Sequence, residues 1–212
     1  MKVKNCNTNT QAHIWLILIC SLFSWISIKY LDKPLALFIH AYAIDQQTWL
    51  RIITEYANYV FSISLIILLI CHYRQRLVIG LITIFYIGLN LQLTLLIKTW
   101  LKNYYGRYWP TTWFANNLSL INNHVYGFAG IGYGGSFPSG HLTFCSFCLY
   151  WWYVYKPQFK SFYFLLLLIM LVSMVALNYH FLGDCLAGVA LGTSMAILTN
   201  KIYNLFSRYL TE

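Results

Sequence analysis

An all-α membrane bundle of six transmembrane helices is the fold that the sequence predicts, on three observations. Only 9% of the 212 residues are charged and 59% are hydrophobic, against roughly 25% charged in an average soluble domain. The mean hydropathy is +0.59. Long uncharged apolar stretches recur along the chain, and about 20 such residues at 1.5 Å rise cross a hydrocarbon core of roughly 30 Å. The 14 Lys and Arg outnumber the 5 Asp and Glu to give a formal charge of +9. With this hydropathy the excess fits neither a disordered basic tail nor a disulfide-rich secreted module, and nucleic acid is not an expected partner. One membrane domain over residues 1–212 is expected.

The spans follow in order. Ile14–Ile28 is short but continues into uncharged flanks. Lys2 and Lys4 precede it as in a signal peptide, yet no small-x-small cleavage site follows, so an uncleaved anchor is expected. Pro34–Ile44 is too short to cross and reads as an interfacial or re-entrant piece. Tyr56–Cys71 is the second span and Leu77–Ile97, free of any charge, the third. Leu142–Tyr155 is short, with Trp151, Trp152 and Tyr153 as an interfacial belt. Phe162–Tyr179 and Cys185–Phe206 complete the set, the last carrying only Lys201 near its end.

Orientation comes from the loop cations. With the N-terminus cytoplasmic, the inner side carries Lys2, Lys4, Arg74, Arg76, Lys156, Lys160, Lys201 and Arg208. Lys29, Lys33, Arg51, Lys98, Lys102 and Arg107 fall outside. The last three crowd the segment between the third and fourth spans, and no acid occurs between Glu55 and Asp184. Such a cation cluster awaits an anionic ligand, an anionic lipid surface or a partner from elsewhere in the fold. Glu55 lies on the same outer side, near a helix start. Cys145 and Cys148 sit inside a predicted span, where core packing is the expected role, and no disulfide framework is implied.

A glycine-rich loop, Gly127–Gly140, runs into Ser136-Phe137-Pro138-Ser139-Gly140-His141 and then directly into the fourth span. Serine and proline here signal a helix start, and the free N–H groups of a helix N-terminus make an anion site faced by His141. The next outward junction carries His180 and Asp184, four residues apart on one face of a helical turn. The carboxylate can fix the imidazole tautomer, leaving the other nitrogen as base, nucleophile or metal ligand. His124, beside Asn122 and Asn123, is a further loop residue placed to touch a substrate.

These residues resemble the type-2 phosphatidic acid phosphatase superfamily, whose motifs are Lys-x6-Arg-Pro, Pro-Ser-Gly-His and Ser-Arg-x5-His-x3-Asp. The second stands complete as Pro138-Ser139-Gly140-His141. The first is similar to Lys102 through Pro110 with Trp109 at the arginine position, and the third to Ser173-Met174 followed by His180 and Asp184. The resemblance covers residues 98–188 and departs at Trp109 and Met174, where two bidentate phosphate donors are replaced.

The resemblance implies a metal-independent membrane lipid phosphatase with no cofactor. His180 is the implied nucleophile forming a phosphohistidine, Asp184 its orienting acid, and His141 the general acid and then base. Lys102, Arg107, Lys98 and the N–H groups of Ser139 and Gly140 are expected to bind the phosphate. The implied partners are the bilayer and a phosphorylated lipid: phosphatidate, phosphatidylglycerol phosphate, a polyprenyl diphosphate or lipid A. A bacterial inner-membrane location with a periplasmic site is expected. The same residues would serve a lipid phosphotransferase. A non-catalytic lipid-phosphate binding or transport protein, and a metal site of His141, His180 and Asp184, are the other readings.

Overall fold

Leucine- and isoleucine-rich runs without internal breakers give long helices, and the computed structural model contains no strand among the residues it describes, 10–72, 74, 77–115, 127–132 and 135–209. Lys2, Lys4, Cys6, Arg76, Asn122, Asn123, His124 and Gly134 lie outside the described residues. The helices are α1 (Thr10–Ile26), α2 (Asp32–Ala41), α3 (Thr48–His72), α4 (Leu77–Tyr105), α5 (Pro110–Ala115), α6 (Gly140–Tyr155), α7 (Lys160–Ala176) and α8 (Leu182–Tyr209).

Five segments among the described residues are long and apolar enough to cross a membrane: Gln11–Ala41, Thr48–His72, Val78–Tyr105, Pro157–Ala176 and Leu182–Leu205. The fourth expected span, Leu142–Tyr155, is helical as α6 but only 16 residues long, which at 1.5 Å per residue falls short of a full crossing. Its environment explains the difference. Leu142, Cys145, Phe147, Cys148 and Trp151 are all buried, so α6 is wrapped by protein. Outward side chains of α3, α4 and α7, such as Ile66, Leu81, Phe85 and Leu168, are exposed in the manner of a lipid-facing surface.

Pro34–Ile44 departs from its expected separate role. A π-helical turn, Ser27–Leu31, joins α1 to α2, so the first span runs on through Pro34 to Ala41. Pro34 has no N–H to donate back into the preceding turn, and the π-helical turn lies just ahead of it. The turn also bends Asp32 inward, where Ser27 Oγ donates to its Oδ1 at 2.6 Å and Asp32 is 1% exposed.

α8 is the central element, packing most extensively on α6 and α1. Glycines make the α6 contact possible: a Cβ on Gly188 would sit 2.6 Å from the Ser139 carbonyl oxygen, and one on Gly192 2.1 Å from that of Thr143. Such close approach of small residues is the usual way helices associate where no hydrophobic effect separates protein from lipid. The start of α6 is thereby pressed against the start of α8, and those two starts carry His141 and Asp184.

Candidate active site

The site has a buried half and an open half. In the buried half, Arg107 follows the end of α4 and is 1% exposed. Its Nη1 donates to Asp184 Oδ1 at 2.5 Å and its Nη2 to Asp32 Oδ2 at 2.7 Å, while Phe181 lies under the guanidinium at 4.3 Å. Asp184 also accepts from Ser136 Oγ and from the Phe181 backbone N–H at 3.2 Å. Asp32 accepts from the Gly183 N–H at 2.9 Å. Buried charges of this kind are costly unless paired, and here each of the four carboxylate oxygens of Asp32 and Asp184 accepts at least one hydrogen bond. The result is a brace tying the α1–α2 junction, the segment after α4 and the start of α8 together.

His180 stands at the boundary, in the turn between α7 and α8. That turn is held by Asn178, whose φ of +51° is one that asparagine tolerates better than most residues. Its side-chain amide donates to the Ala36 carbonyl at 3.2 Å and to Asp45 at 3.3 Å. The His180 ring is 2% exposed, with Trp109 stacked obliquely at 4.7 Å between centroids. Its Nδ1 is 3.3 Å from Ser136 Oγ and 3.7 Å from Asp184 Oδ2. The second distance is beyond hydrogen-bond reach.

The open half is a cleft of about 860 Å³ between α3, α4 and α6. Lys98, Lys102, Trp109, Gly140, His141 and His180 line its deep end, with Glu55, Tyr56 and Tyr59 from α3 also on its wall. Lys102 donates to the Gly135 carbonyl and lies 4.4 Å from the centre of the Trp109 ring. The Lys98 ammonium comes within 3.6 Å of where a Gly140 Cβ would stand, so it sits beside the α6 start. The His141 and His180 rings are 6.5 Å apart between centroids, and both line the cleft. Burial pushes the His180 imidazole below its ordinary 6.5, against the opposing pull of Asp184. His141, just ahead of the span Leu142–Tyr155, is pushed down to about 4 by burial and then by His180, Lys102 and Lys98. Burial thus favours the neutral form of both rings.

The structure brings His141, His180, Lys98, Lys102 and Gly140 together on one cleft, sets Asp184 behind His180, and places two of the expected phosphate-binding groups elsewhere. Arg107 does not face the cleft, because both of its terminal nitrogens are engaged by buried carboxylates. The Ser139 N–H is committed to the Asp184 carbonyl at 3.0 Å, and Ser139 Oγ caps α6 by accepting from Leu142 N at 3.5 Å. Neither group is directed at an anion. Asp184 reaches His180 through Ser136 instead of directly. Met174, at the third motif's arginine position, is wholly buried in the core and adds nothing to the cleft. Among the described residues no group of three or more His, Cys, Asp or Glu is placed to hold a metal ion.

Sequence reasoning missed Asp32, Ser136 and Asn178. Asp32 is the first acid of the chain and follows the apolar run Ile14–Ile28, which was the available signal for it. Ser136 and Asn178 carried no comparable one.

Helices of membrane length around two facing histidines, two lysines and a braced carboxylate define a polytopic membrane protein with a polar cleft at one end of its bundle. Residues 80–208, more than half of the chain, match the PAP2 superfamily, and the chain belongs to that superfamily. No curated protein and no solved structure matches.

Proposed function

We propose that this chain is a metal-independent phosphatase of membrane lipid phosphates acting through a phosphohistidine. The family supports a phosphatase acting on lipid-phosphate substrates. The observation that carries the finer reading is the pair of histidines on one cleft, His180 with its Nδ1 committed to Ser136 and His141 facing it across 6.5 Å. With Nδ1 engaged, Nε2 is the nitrogen available to attack phosphorus.

In the first step the Nε2–P bond forms as the P–O bond to the lipid alkoxide breaks, and protonated His141 gives its proton to the alkoxide. In the second, water attacks phosphorus, His141 takes its proton, the N–P bond breaks and inorganic phosphate leaves. A bound phosphate dianion favours the protonated form of His141, against the pull of burial toward the neutral ring. Lys98, Lys102 and the Gly140 N–H stabilise the equatorial oxygens. Arg107 and Ser139 act one layer behind, on the placement of Asp184 and of α6. The substrate classes are phosphatidate, phosphatidylglycerol phosphate, a polyprenyl diphosphate and lipid A, met at the periplasmic face of a bacterial inner membrane.

The test is phosphate release by purified protein across that panel, with His180→Ala as the blank. Loss of release on at least one substrate supports the reading; turnover retained in His180→Ala contradicts the nucleophile. Trp109 and Met174 in place of arginines favour one alternative, a non-catalytic lipid-phosphate binder. Release of phosphate that vanadate inhibits would end that alternative.

A further inference from the structure

Histidine and carboxylate spacing alone suggests a direct contact, and the geometry departs from it. The closest approach of His180 Nδ1 to Asp184 is 3.7 Å, and the Ser136 hydroxyl stands between them. Ser136 is wholly buried, and its backbone is fixed by donation of its N–H to the Arg107 carbonyl at 2.9 Å. Its hydroxyl has one proton and two lone pairs. Asp184 takes the proton, since a carboxylate whose other oxygen binds Arg107 can only accept. The Ser136 oxygen is then an acceptor at 3.3 Å from His180 Nδ1, and the only ring state that satisfies it carries its proton on Nδ1.

We propose that Ser136 is a positioning residue that sets the tautomer of His180, holding the proton on Nδ1 and leaving the Nε2 lone pair for the cleft. The chain of donors runs from His180 to Ser136 to Asp184, and Arg107 closes it. This arrangement has a consequence that a direct pair lacks. The carboxylate charge is balanced by Arg107 and meets the ring through a hydroxyl, and its pull on the ring proton is outweighed by burial, so it orients the ring without protonating it. His180 stays a neutral nucleophile although Asp184 lies nearby. Of the other titratable groups facing the ring, Lys102 also disfavours its protonated state, and His141 lies across the cleft at 6.5 Å. The inference deepens the proposed phosphatase reading and rests on it for its catalytic meaning, while the tautomer itself is a separate observable.

The experiment is nitrogen NMR of histidine-labelled full-length protein in lipid nanodiscs, comparing wild type with Ser136→Ala and Ser136→Thr, alongside steady-state kinetics on a lipid phosphomonoester. Wild type is expected to give one neutral tautomer at His180, protonated on Nδ1. Ser136→Ala is expected to give a mixture of both, with kcat falling about 10- to 100-fold and KM changing less than about twofold. Ser136→Thr, which keeps the hydroxyl, restores the single tautomer. Unchanged signals from His13 and His72 show that the fold persists in each variant. A single Nδ1-protonated tautomer in Ser136→Ala overturns the proposal, whether or not kcat falls, because any loss would then come from packing. Should the tautomer shift as expected while His180→Ala still releases phosphate, the positioning role stands and the nucleophile reading fails.

Discussion

Arg107 and Lys102 lie five residues apart around the end of α4, and the fold puts them to different uses. Arg107 is sealed between Asp32 and Asp184 at 1% exposure, with its planar fork matched to two carboxylates. Lys102 turns into the cleft, half-buried, with a backbone carbonyl and an aromatic face as its neighbours. Planar guanidinium suits a fixed two-ended pairing, whereas a compact ammonium on a flexible stem suits a ligand that comes and goes. Charge alone therefore does not identify a phosphate-binding residue. What separates the two is whether counter-ions are already present in the folded chain.

That contrast is open to being broken. The largest effect is expected from Arg107→Met, which leaves two buried carboxylates facing each other. Loss of one partner from a buried ionic group costs about 3–5 kcal/mol, and reversible unfolding in detergent should show it. A variant as stable as wild type would mean that the brace does not hold the bundle together.

Lys102→Met should show the reverse pattern. Stability is expected to change by no more than about 0.5 kcal/mol, while kcat/KM falls with the loss of a charge-assisted contact of about 1.5–3 kcal/mol, roughly 10- to 150-fold. If Lys102→Met unfolds the protein as readily as Arg107→Met, the division into a buried brace and an open binding surface fails.

The mildest effect comes from pH and sharpens the boundary at His180. Its pKa is lowered by burial below 6.5, so the unfolded chain binds the proton first as pH falls. Stability is accordingly unaffected by this group above pH 6.5 and declines as pH drops from there through the folded-state value. The acid limb of kcat/KM should likewise lie below pH 6.5, since the proposed reaction uses the neutral ring as its nucleophile. An acid limb centred above 6.5 would place His180 as a protonated partner of Asp184 and remove the positioning role of Ser136.

The sequence and the structure agree where information is local. Apolar runs and the serine and proline ahead of α6 express the periodicity and capping of one helix, and they mark the helices seen; His180 falls in the turn before α8, so its four-residue spacing from Asp184 brings the two near without a direct hydrogen bond. Disagreement begins where distant segments meet. Asp32 lies 151 positions from the Gly183 N–H that it accepts and 75 from Arg107. Nothing near either residue in sequence announces that pairing, so Arg107 reads as an uncompensated cation until the bundle closes. Ser139 is a similar case: a free N–H is expected at a helix start, yet the close α6–α8 crossing allowed by Gly188 brings the Asp184 carbonyl onto it. Helix α6 reads as a span by composition, but its short length is decided by the helices that enclose it.

The account turns on His180 as the atom-bearing nucleophile, and the most direct measurement is rapid acid-free quenching of purified protein with a lipid phosphomonoester labelled in its phosphate, followed by peptide mapping. The account predicts label on His180 in wild type, increased in His141→Ala where hydrolysis of the intermediate is slowed, and absent in His180→Ala. Steady turnover with no label on His180 in either wild type or His141→Ala would contradict it.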